Sequence, residues 1–468
     1  MGAGKSTLGE AAAERMGRQF LDLDRAIEER AGDSITVIFD SWGEAAFREI
    51  EEEAALETLS SAEPKVIALG GGALGSEKTR RLLQERATTV FVEVDPDTAW
   101  QRSSGSDRPL ARDEEAFRRL YDERLPAYEE AADAIVRGAD DIVLAAGGVH
   151  VHVGSLELLG DLLPGVGLAA LVADGHVAGI YGADAQLALG RRLASTHSVP
   201  RGEEAKTAAV CERLWHELRL DRGGIVVALG GGTTGDVTGF VAATYLRGVA
   251  WAAVPTTLVA QVDAAIGGKT AIDLPQGKNL VGAFHWPART VIDPALLETL
   301  PAAERRNGLA EVVKTGLLAG EPLWELPDAE QVRRCAVFKT AVCMRDPHDH
   351  AERAVLNLGH TFAHALEAAA SYDEVTHGHA VALGLRAALM LSVDHLGLDR
   401  AVADDAVGFL APEPVRVDLD RAWEALGRDK KAEGGRVKLV LLEAPGKPVH
   451  GVELPEEDVR RALAALVA

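Results

Sequence analysis

Hydrophobic and polar positions divide the chain into three regimes. Over residues 1–136, helical stretches alternate with short apolar runs, among them Val66–Leu69 and Thr89–Val94. Apolar runs between helices are the mark of strands buried in a parallel sheet, so this stretch predicts an α/β unit. Residues 137–148 carry the weakest pattern and are expected to be a linker. A second α/β region is expected over 149–300, with strands at Leu168–Val172, Ile225–Leu229 and Trp251–Val254. From Pro301 the spacing turns helical and stays so, which predicts an all-α region over 301–468. The run Ala-Leu-Gly-Gly-Gly occurs at 68–72 and again at 228–232, but the residues that follow diverge at once, so it is no repeat.

Composition narrows the function classes. A chain of 468 residues is too long for one ordinary core and implies two or three domains. Its net charge of −23 excludes a general nucleic-acid binder, which needs a basic face. An anionic substrate must then be drawn by local lysines and arginines. Cys211, Cys335 and Cys343 lack metal-ligand spacing and read as buried thiols of a cytoplasmic protein. No secretory signal opens the chain. The longest apolar stretch, Ala380–Val393, is short and contains Arg386, so no membrane partner is expected.

Three places concentrate chemistry. His360 and His364 stand four apart in an apolar helical pattern and share one helix face, and His377 follows a polar break. With Glu311 upstream, two histidines and a carboxylate would leave open positions on a catalytic divalent metal. The alternative is a helix with two ordinary histidines. Gly2-Ala-Gly4-Lys5-Ser6-Thr7 before a helical run looks like the end of a phosphate loop, in which backbone N–H groups cradle phosphate and Ser6 binds Mg²⁺. Gly232-Thr233-Thr234-Gly235-Asp236 follows an apolar strand, as a dinucleotide turn should.

The phosphate loop is followed by Phe-Leu-Asp22-Leu-Asp24, Phe-Arg48-Glu-Ile-Glu, Gly70-Gly71-Gly72, Asp-Arg108-Pro-Leu and Glu-Arg124-Leu-Pro-Ala-Tyr. In that order these motifs resemble shikimate kinase across nearly all of residues 1–136. The resemblance implies ATP and Mg²⁺ as cofactors, held at Gly2, Gly4, Lys5, Ser6 and Thr7 with Arg108 in a lid. It implies a shikimate site of Asp24, Arg48, Gly71 and Arg124, with Asp22 nearby. The family's loop begins with an apolar strand and an earlier glycine, whereas Met1 falls inside it; the native start is therefore expected upstream.

The second glycine turn is followed by Tyr-Leu-Arg247-Gly, Pro-Thr256-Thr257, Val-Asp263-Ala-Ala-Ile-Gly-Gly-Lys269 and Gly-Lys278-Asn279. Next come Ala-Glu311-Val-Val-Lys314, Lys339, Arg353-Ala-Val-Leu-Asn357, Gly-His360-Thr-Phe-Ala-His364, His377-Gly and Asp-Lys430-Lys431. This succession resembles 3-dehydroquinate synthase over 149–468: a Rossmann-like α/β nucleotide-binding subdomain and an all-α metal-binding subdomain. Carried over, Glu311, His360 and His377 are ligands of a divalent metal, zinc or cobalt. NAD contacts fall on Asp174, Glu203, Lys206, Gly232, Thr233, Thr234, Gly235, Asp236, Thr256, Thr257, Lys269, Lys278, Leu296, Leu297, Glu298 and Thr299. Substrate contacts fall on Asp263, Lys269, Asn279, Lys314, Lys339, Arg353, Asn357, His364 and Lys430. Arg247 matches a residue that reaches the substrate phosphate across a homodimer interface.

The reaction implied is oxidation at C5 of 3-deoxy-D-arabino-heptulosonate 7-phosphate, elimination of phosphate, reduction, ring opening and an intramolecular aldol closure, with NAD regenerated. Departures from the family pattern are His379 after His377-Gly, Ala264-Ala265 after Asp263, His176, and Asp346-Pro347 after Lys339. His379 is placed either to compete for metal or to replace a carboxylate behind the ligands. The chain reads as a fusion of the two enzymes. Alternatives are a synthase with an inactive kinase appendage and a sugar-phosphate cyclase of secondary metabolism.

Overall fold

The computed structural model describes residues 2–104, 113–370, 375–432 and 437–468, with side chains described throughout except at 428–432. The chain forms two compact units, Met1–Gly147 and Gly148–Ala468.

The first unit opens with helix α1 (Lys5–Arg15), followed by strand β1 (Gln19–Asp22), α2 (Leu23–Ala31) and α3 (Ile35–Ser60), which is kinked at Gly43. Then come β2 (Lys65–Ala68), α4 (Glu77–Arg86), β3 (Val90–Val92), α5 (Pro96–Ser103), α6 (Glu114–Ala131), β4 (Ala134–Val136) and α7 (Ala139–Ala146). Strands β1 and β2 form one parallel pair and β3 and β4 another. A cavity of about 490 Å³ lies along both β2 and β3, lined by Lys65–Leu69, Thr88–Val90 and Val92. Leu23, Ile27, Ile38 and Phe47 form the core where α2 packs on α3.

Residues 137–148, expected as a linker, contain helix α7. The Asp141 carboxylate accepts from the N–H groups of Arg137 (2.8 Å) and Gly138 (3.1 Å), which starts the helix. Ile142, Val143, Leu144 and Ala145 are then buried. A capped, buried turn outweighs a composition rich in glycine and aspartate.

The second unit contains β5 (Val149–Val151), a short α8 (Leu159–Leu162), β6 (Ala169–Asp174), α9 (Gly175–Leu189), β7 (Leu193–Val199), α10 (Ala208–Glu217), β8 (Ile225–Gly230), α11 (Gly232–Thr244) and β9 (Ala250–Pro255). An antiparallel hairpin, β10 (Lys269–Leu274) and β11 (Gly277–Phe284), precedes β12 (Arg289–Ile292). The sheet order is β5-β12-β9-β8-β6-β7, all parallel. Every residue of β6 and β8 is buried, as strands covered on both faces require. From β6 the chain passes to β7 on one side and then, through α10, crosses to β8 on the other side of β6. That reversal opens a crevice at the strands' carboxyl ends, where such sheets bind ligands.

Helices α12 (Ala302–Ala319), α13 (Asp328–Arg345), α14 (His360–Ala369), α15 (His377–Leu396), α16 (Arg400–Leu410) and α17 (Leu419–Ala432) follow. The expected helical region also contains a hairpin, β13 (Leu439–Ala444) and β14 (Lys447–Val452), before the final α18 (Glu456–Ala464). Its first strand is a continuous buried run, Leu439–Leu442, which helical periodicity does not separate from a core helix. Among the described residues no helix is long and apolar enough to cross a membrane.

Candidate active sites

Glu311 lies on the buried face of α12, and His360 and His377 each open a helix. One ligand atom from each of the three lies within 4.8 Å of the others. Glu311 Oε1 is 3.5 Å from His360 Nε2 and 3.3 Å from His377 Nε2. Each imidazole is held from behind. His377 Nδ1 is 3.1 Å from Glu367 Oε1, and His360 Nδ1 is 3.3 Å from the Leu358 carbonyl. Anchoring Nδ1–H in this way leaves the Nε2 lone pairs facing Glu311.

The donor set fits a divalent cation. Both Glu311 carboxylate oxygens are buried, and although Lys314 and the two imidazoles lie within ion-pair range, neither oxygen has a partner in hydrogen-bond geometry. Burial opposes charge on Glu311, but Lys314 and His360 hold its carboxyl well below the usual range. Burial also opposes charge on His377, yet the carboxylates of Glu311 and Glu367 beside it raise its pKa to about 10. A cation there would take the place of that proton. His379 is directed elsewhere: its Nε2 is 2.7 Å from the Glu413 carbonyl.

Beside this trio sits a buried charge network. Lys314 contacts Glu311 and lies 3.5 Å from Asp263, and Lys339 is 2.6 Å from the same Asp263 oxygen. Burial penalises the Asp263 carboxylate, but the two lysines hold its pKa down at about 2. Arg353 is buried and donates to the Gly267 carbonyl (3.0 Å). His364 lies one turn beyond His360, with ring centroids 5.6 Å apart. Asn357 ends the 3-10 turn Glu352–Asn357 that leads to α14.

The residues expected at the nucleotide gather at the carboxyl end of the sheet. Asp174 ends β6 and caps α9 through the N–H groups of His176 (2.9 Å) and Val177 (3.0 Å). Gly232–Asp236 form the first turn of α11 directly after β8, and a Cβ at Gly235 would meet nothing within 4 Å. An open helix N-terminus of this kind suits an anionic group such as pyrophosphate. Thr256 and Thr257 follow β9. Thr299, in the turn Pro294–Thr299, bonds Tyr181 (2.7 Å), which also bonds the Leu296 carbonyl (3.0 Å). Lys206 is buried against Asp236 (2.8 Å) and Asn279, and Lys278 pairs with Glu203 (3.1 Å). Asp273, which the motifs did not single out, accepts from Asn279 N–H at 2.7 Å and lies 3.8 Å from Lys206. Arg247 stands apart, exposed before β9 at the amino-terminal end of that strand. It and Leu246 adopt left-handed backbone, with φ of 67° and 52°.

In the first unit, Lys5, Ser6 and Thr7 start α1 behind Gly2 and Gly4, both at positive φ. Ser6 Oγ bonds Asp22 Oδ2 at 2.5 Å, and Asp22 caps α2, which begins with Leu23 and Asp24. A cavity of about 810 Å³ beside the loop is lined by Gly4, Thr7, Asp95, Arg102, Tyr121 and Arg137, room suited to a nucleotide. A second cavity, about 790 Å³, is lined by Arg48, Glu51, Gly71, Gly72, Arg124 and Tyr128. Arg48 bonds Glu51 at 2.5 Å and lies over the rings of Phe39 and Phe47. A Cβ at Gly72 would stand 1.9 Å from the Arg48 guanidinium, so a side chain there would displace Arg48 from this position. Tyr128 bonds the Gly71 carbonyl at 2.6 Å. Glu51 and Tyr128 end motifs of the first unit that gave them no role, and Glu367 was not singled out. Arg108 and the Lys430 side chain lie outside the described residues.

Comparisons with known proteins agree with this division. Family models match as shikimate kinase over residues 1–146, 3-dehydroquinate synthase N-terminal over 196–307 and 3-dehydroquinate synthase C-terminal over 308–432. The 3-dehydroquinate synthase of Gloeobacter violaceus is 42% identical over 346 residues, covering 68% of this chain and 96% of that protein. Among solved structures, 2-epi-5-epi-valiolone synthase from Streptomyces hygroscopicus, with NAD⁺ and Zn²⁺ bound, is 26% identical with a TM-score of 0.61. A 2-deoxy-scyllo-inosose synthase complexed with carbaglucose-6-phosphate, NAD⁺ and Co²⁺ is 25% identical with the same TM-score. Each covers 68% of this chain and 96% of its own.

Proposed function

The chain belongs to the 3-dehydroquinate synthase family and carries a shikimate kinase domain ahead of it, and on that premise we propose a bifunctional shikimate-pathway enzyme. The second unit converts 3-deoxy-D-arabino-heptulosonate 7-phosphate to 3-dehydroquinate and phosphate; the first transfers the ATP γ-phosphate to shikimate. One observation carries the synthase reading: a buried Glu311 carboxylate faces two Nε2 atoms beside the Lys314–Asp263–Lys339 network.

A divalent metal at Glu311, His360 and His377 supplies Lewis-acid polarisation of a substrate oxygen, and NAD in the sheet crevice supplies a reversible hydride acceptor. The chain's own residues do the rest. Lys314 and Lys339, held by Asp263, present positive charge to a substrate that is anionic at both ends, and Arg353 offers a fork matched to a carboxylate. Burial of these cations keeps their fields strong and excludes water from intermediates that it would divert. Lys206 orients Asn279, so the amide enters the pocket in one rotamer. Arg247, at the amino-terminal end of β9, serves a neighbouring copy in a homodimer. In the first unit Arg48 and Arg124 bind the shikimate carboxylate, Asp24 orients the accepting hydroxyl, and Lys5 stabilises the transferred phosphoryl group with Mg²⁺ at Ser6.

The test is phosphate release from the heptulosonate phosphate with substoichiometric NAD⁺. Chelation should abolish it, Zn²⁺ or Co²⁺ should restore it, and no NADH should accumulate. Steady NADH accumulation would mean a dehydrogenase instead. Retention of the Lys314, Lys339 and Arg353 set favours a carboxylated substrate over a sugar phosphate without a carboxylate, and a preference for the latter would overturn the assignment.

A further inference from the structure

Four lysines of the synthase pocket among the described residues meet carboxylates, but the pairs differ in exposure. Lys314 and Lys339 share Asp263, and Lys206 meets Asp236, with the lysine side chains no more than 9% exposed. Lys269 instead meets Asp349, and its side chain is 51% exposed. Lys269 also lines the recess formed by Gly230–Gly232, Gly235 and Asp236, so it stands between the nucleotide turn and open solvent.

Asp349 is built into this position. The loop after α13 is tied by the Asp346 carboxylate, which accepts from the N–H groups of His350 (2.9 Å), Ala351 (2.8 Å) and Arg353 (3.1 Å). Within that tie Asp349 adopts φ 59°, a left-handed conformation that costs a side-chain-bearing residue and persists where surroundings impose it. The same loop delivers Arg353 onto Gly267, where a Cβ would stand 2.6 Å from the guanidinium, two residues before Lys269. Lys269 and Arg353 are therefore set by one loop. It brings a carboxylate into a pocket that must receive a dianion.

We propose that Asp349 is a positioning residue and exchange counter-ion: it holds Lys269 toward the pocket when no anion is present and yields it to the phosphate group of the substrate. The inference rests on the proposed synthase reading. A half-exposed ion pair is held by little free energy and is screened by salt, so an incoming dianion can open it, whereas the buried Lys314 and Lys339 pairs stay closed. Phosphate affinity is lowered by the strength of the pair it displaces, which also speeds departure of the phosphate product.

The test uses inorganic phosphate as the probe on the NAD- and metal-loaded full chain. Asp349→Asn and Asp349→Gly both tolerate the left-handed backbone. Both should tighten phosphate inhibition and lower the KM for the sugar phosphate by about two- to fivefold, the range of an exposed ion pair. Lys269→Ala should weaken phosphate in the wild-type and Asp349→Asn backgrounds alike. Unchanged or weaker phosphate inhibition in both Asp349 variants overturns the exchange while leaving the synthase reading intact. Absence of saturable phosphate inhibition in the wild-type protein, together with no turnover, removes the synthase reading and this inference with it.

Discussion

His377 Nδ1 lies 3.1 Å from the Glu367 carboxylate, so the imidazole that opens α15 is oriented by a residue on α14. That contact turns Nε2 toward Glu311 and makes the ring a stronger donor. Glu367→Gln should therefore weaken metal binding by about 10- to 100-fold while all three ligands remain. Competition against a chromophoric chelator reads this directly. Wild-type affinity in Glu367→Gln would show that His377 needs no support from α14.

Lys314 is the buried positive charge between Glu311 and Asp263. Lys314→Met leaves the buried Glu311 carboxylate short of a counter-charge and the half-buried Asp263 with Lys339 alone, a loss of about 3–5 kcal/mol for a broken buried pair. A bound cation compensates Glu311, so the deficit should shrink when Zn²⁺ or Co²⁺ is added. Thermal unfolding of the variant with and without metal measures the difference, and turnover should be lost in both. An equal deficit in both conditions would mean that Glu311 does not face the metal.

How much of this was legible depended on whether a residue's partner is near it in sequence. Glu311, His360 and His377 stand in motifs whose residue types declare a ligand set, and the structure brings them within 4.8 Å. Glu367 is seven residues beyond His360, at helical spacing, and reads as the polar edge of an amphipathic helix. Only the return of α15 gives it a function. Glu51 hides in a run of glutamates that looks like a solvated face, yet Gly70 packs over it; a Cβ there would sit 2.3 Å from its carboxylate. Asp349 was passed over for the same reason, since its partner Lys269 is 80 residues away. Strands β6, β8 and β9 were legible because both faces are buried, whereas β7 alternates between exposed and half-buried positions and was not expected. A short closing helix was legible at Asp140–Ala146, and α7 spans Ala139–Ala146, but its burial was not, because its cap and packed face emerge only once the first unit closes on it.

Asp236 gives a pH dependence with a definite sign. Burial raises its pKa from an ordinary 3.8 to about 6, with Lys206 opposing. The native state then holds a proton that the unfolded chain has lost between about pH 4 and 6, so this group's contribution to stability falls as pH rises through that window. Asp236→Asn does not titrate there and should flatten the slope. Melting temperature followed from pH 4 to 7 on wild type and variant checks it; identical slopes would place the titration on another group.

Arg48 and Glu51 offer the cleanest probe of the first unit. Glu51 is buried, and burial raises its carboxyl despite the bond to Arg48. Arg48 is also stacked on Phe39 and Phe47, so its guanidinium enters the cavity in one orientation. Arg48→Lys keeps a charge but loses the flat, forked donor, and should weaken shikimate binding about tenfold or more, since a charge-assisted bidentate contact exceeds one point-charge contact by about 1.5 kcal/mol. Glu51→Gln keeps the shape and removes the anion that fixes Arg48, so it should weaken shikimate less than Arg48→Lys does. Calorimetric titration of shikimate reads both. Phosphate release by the second unit should be untouched, because the two sites belong to separate compact units. Wild-type shikimate affinity in Arg48→Lys would move the carboxylate contact to Arg124 alone.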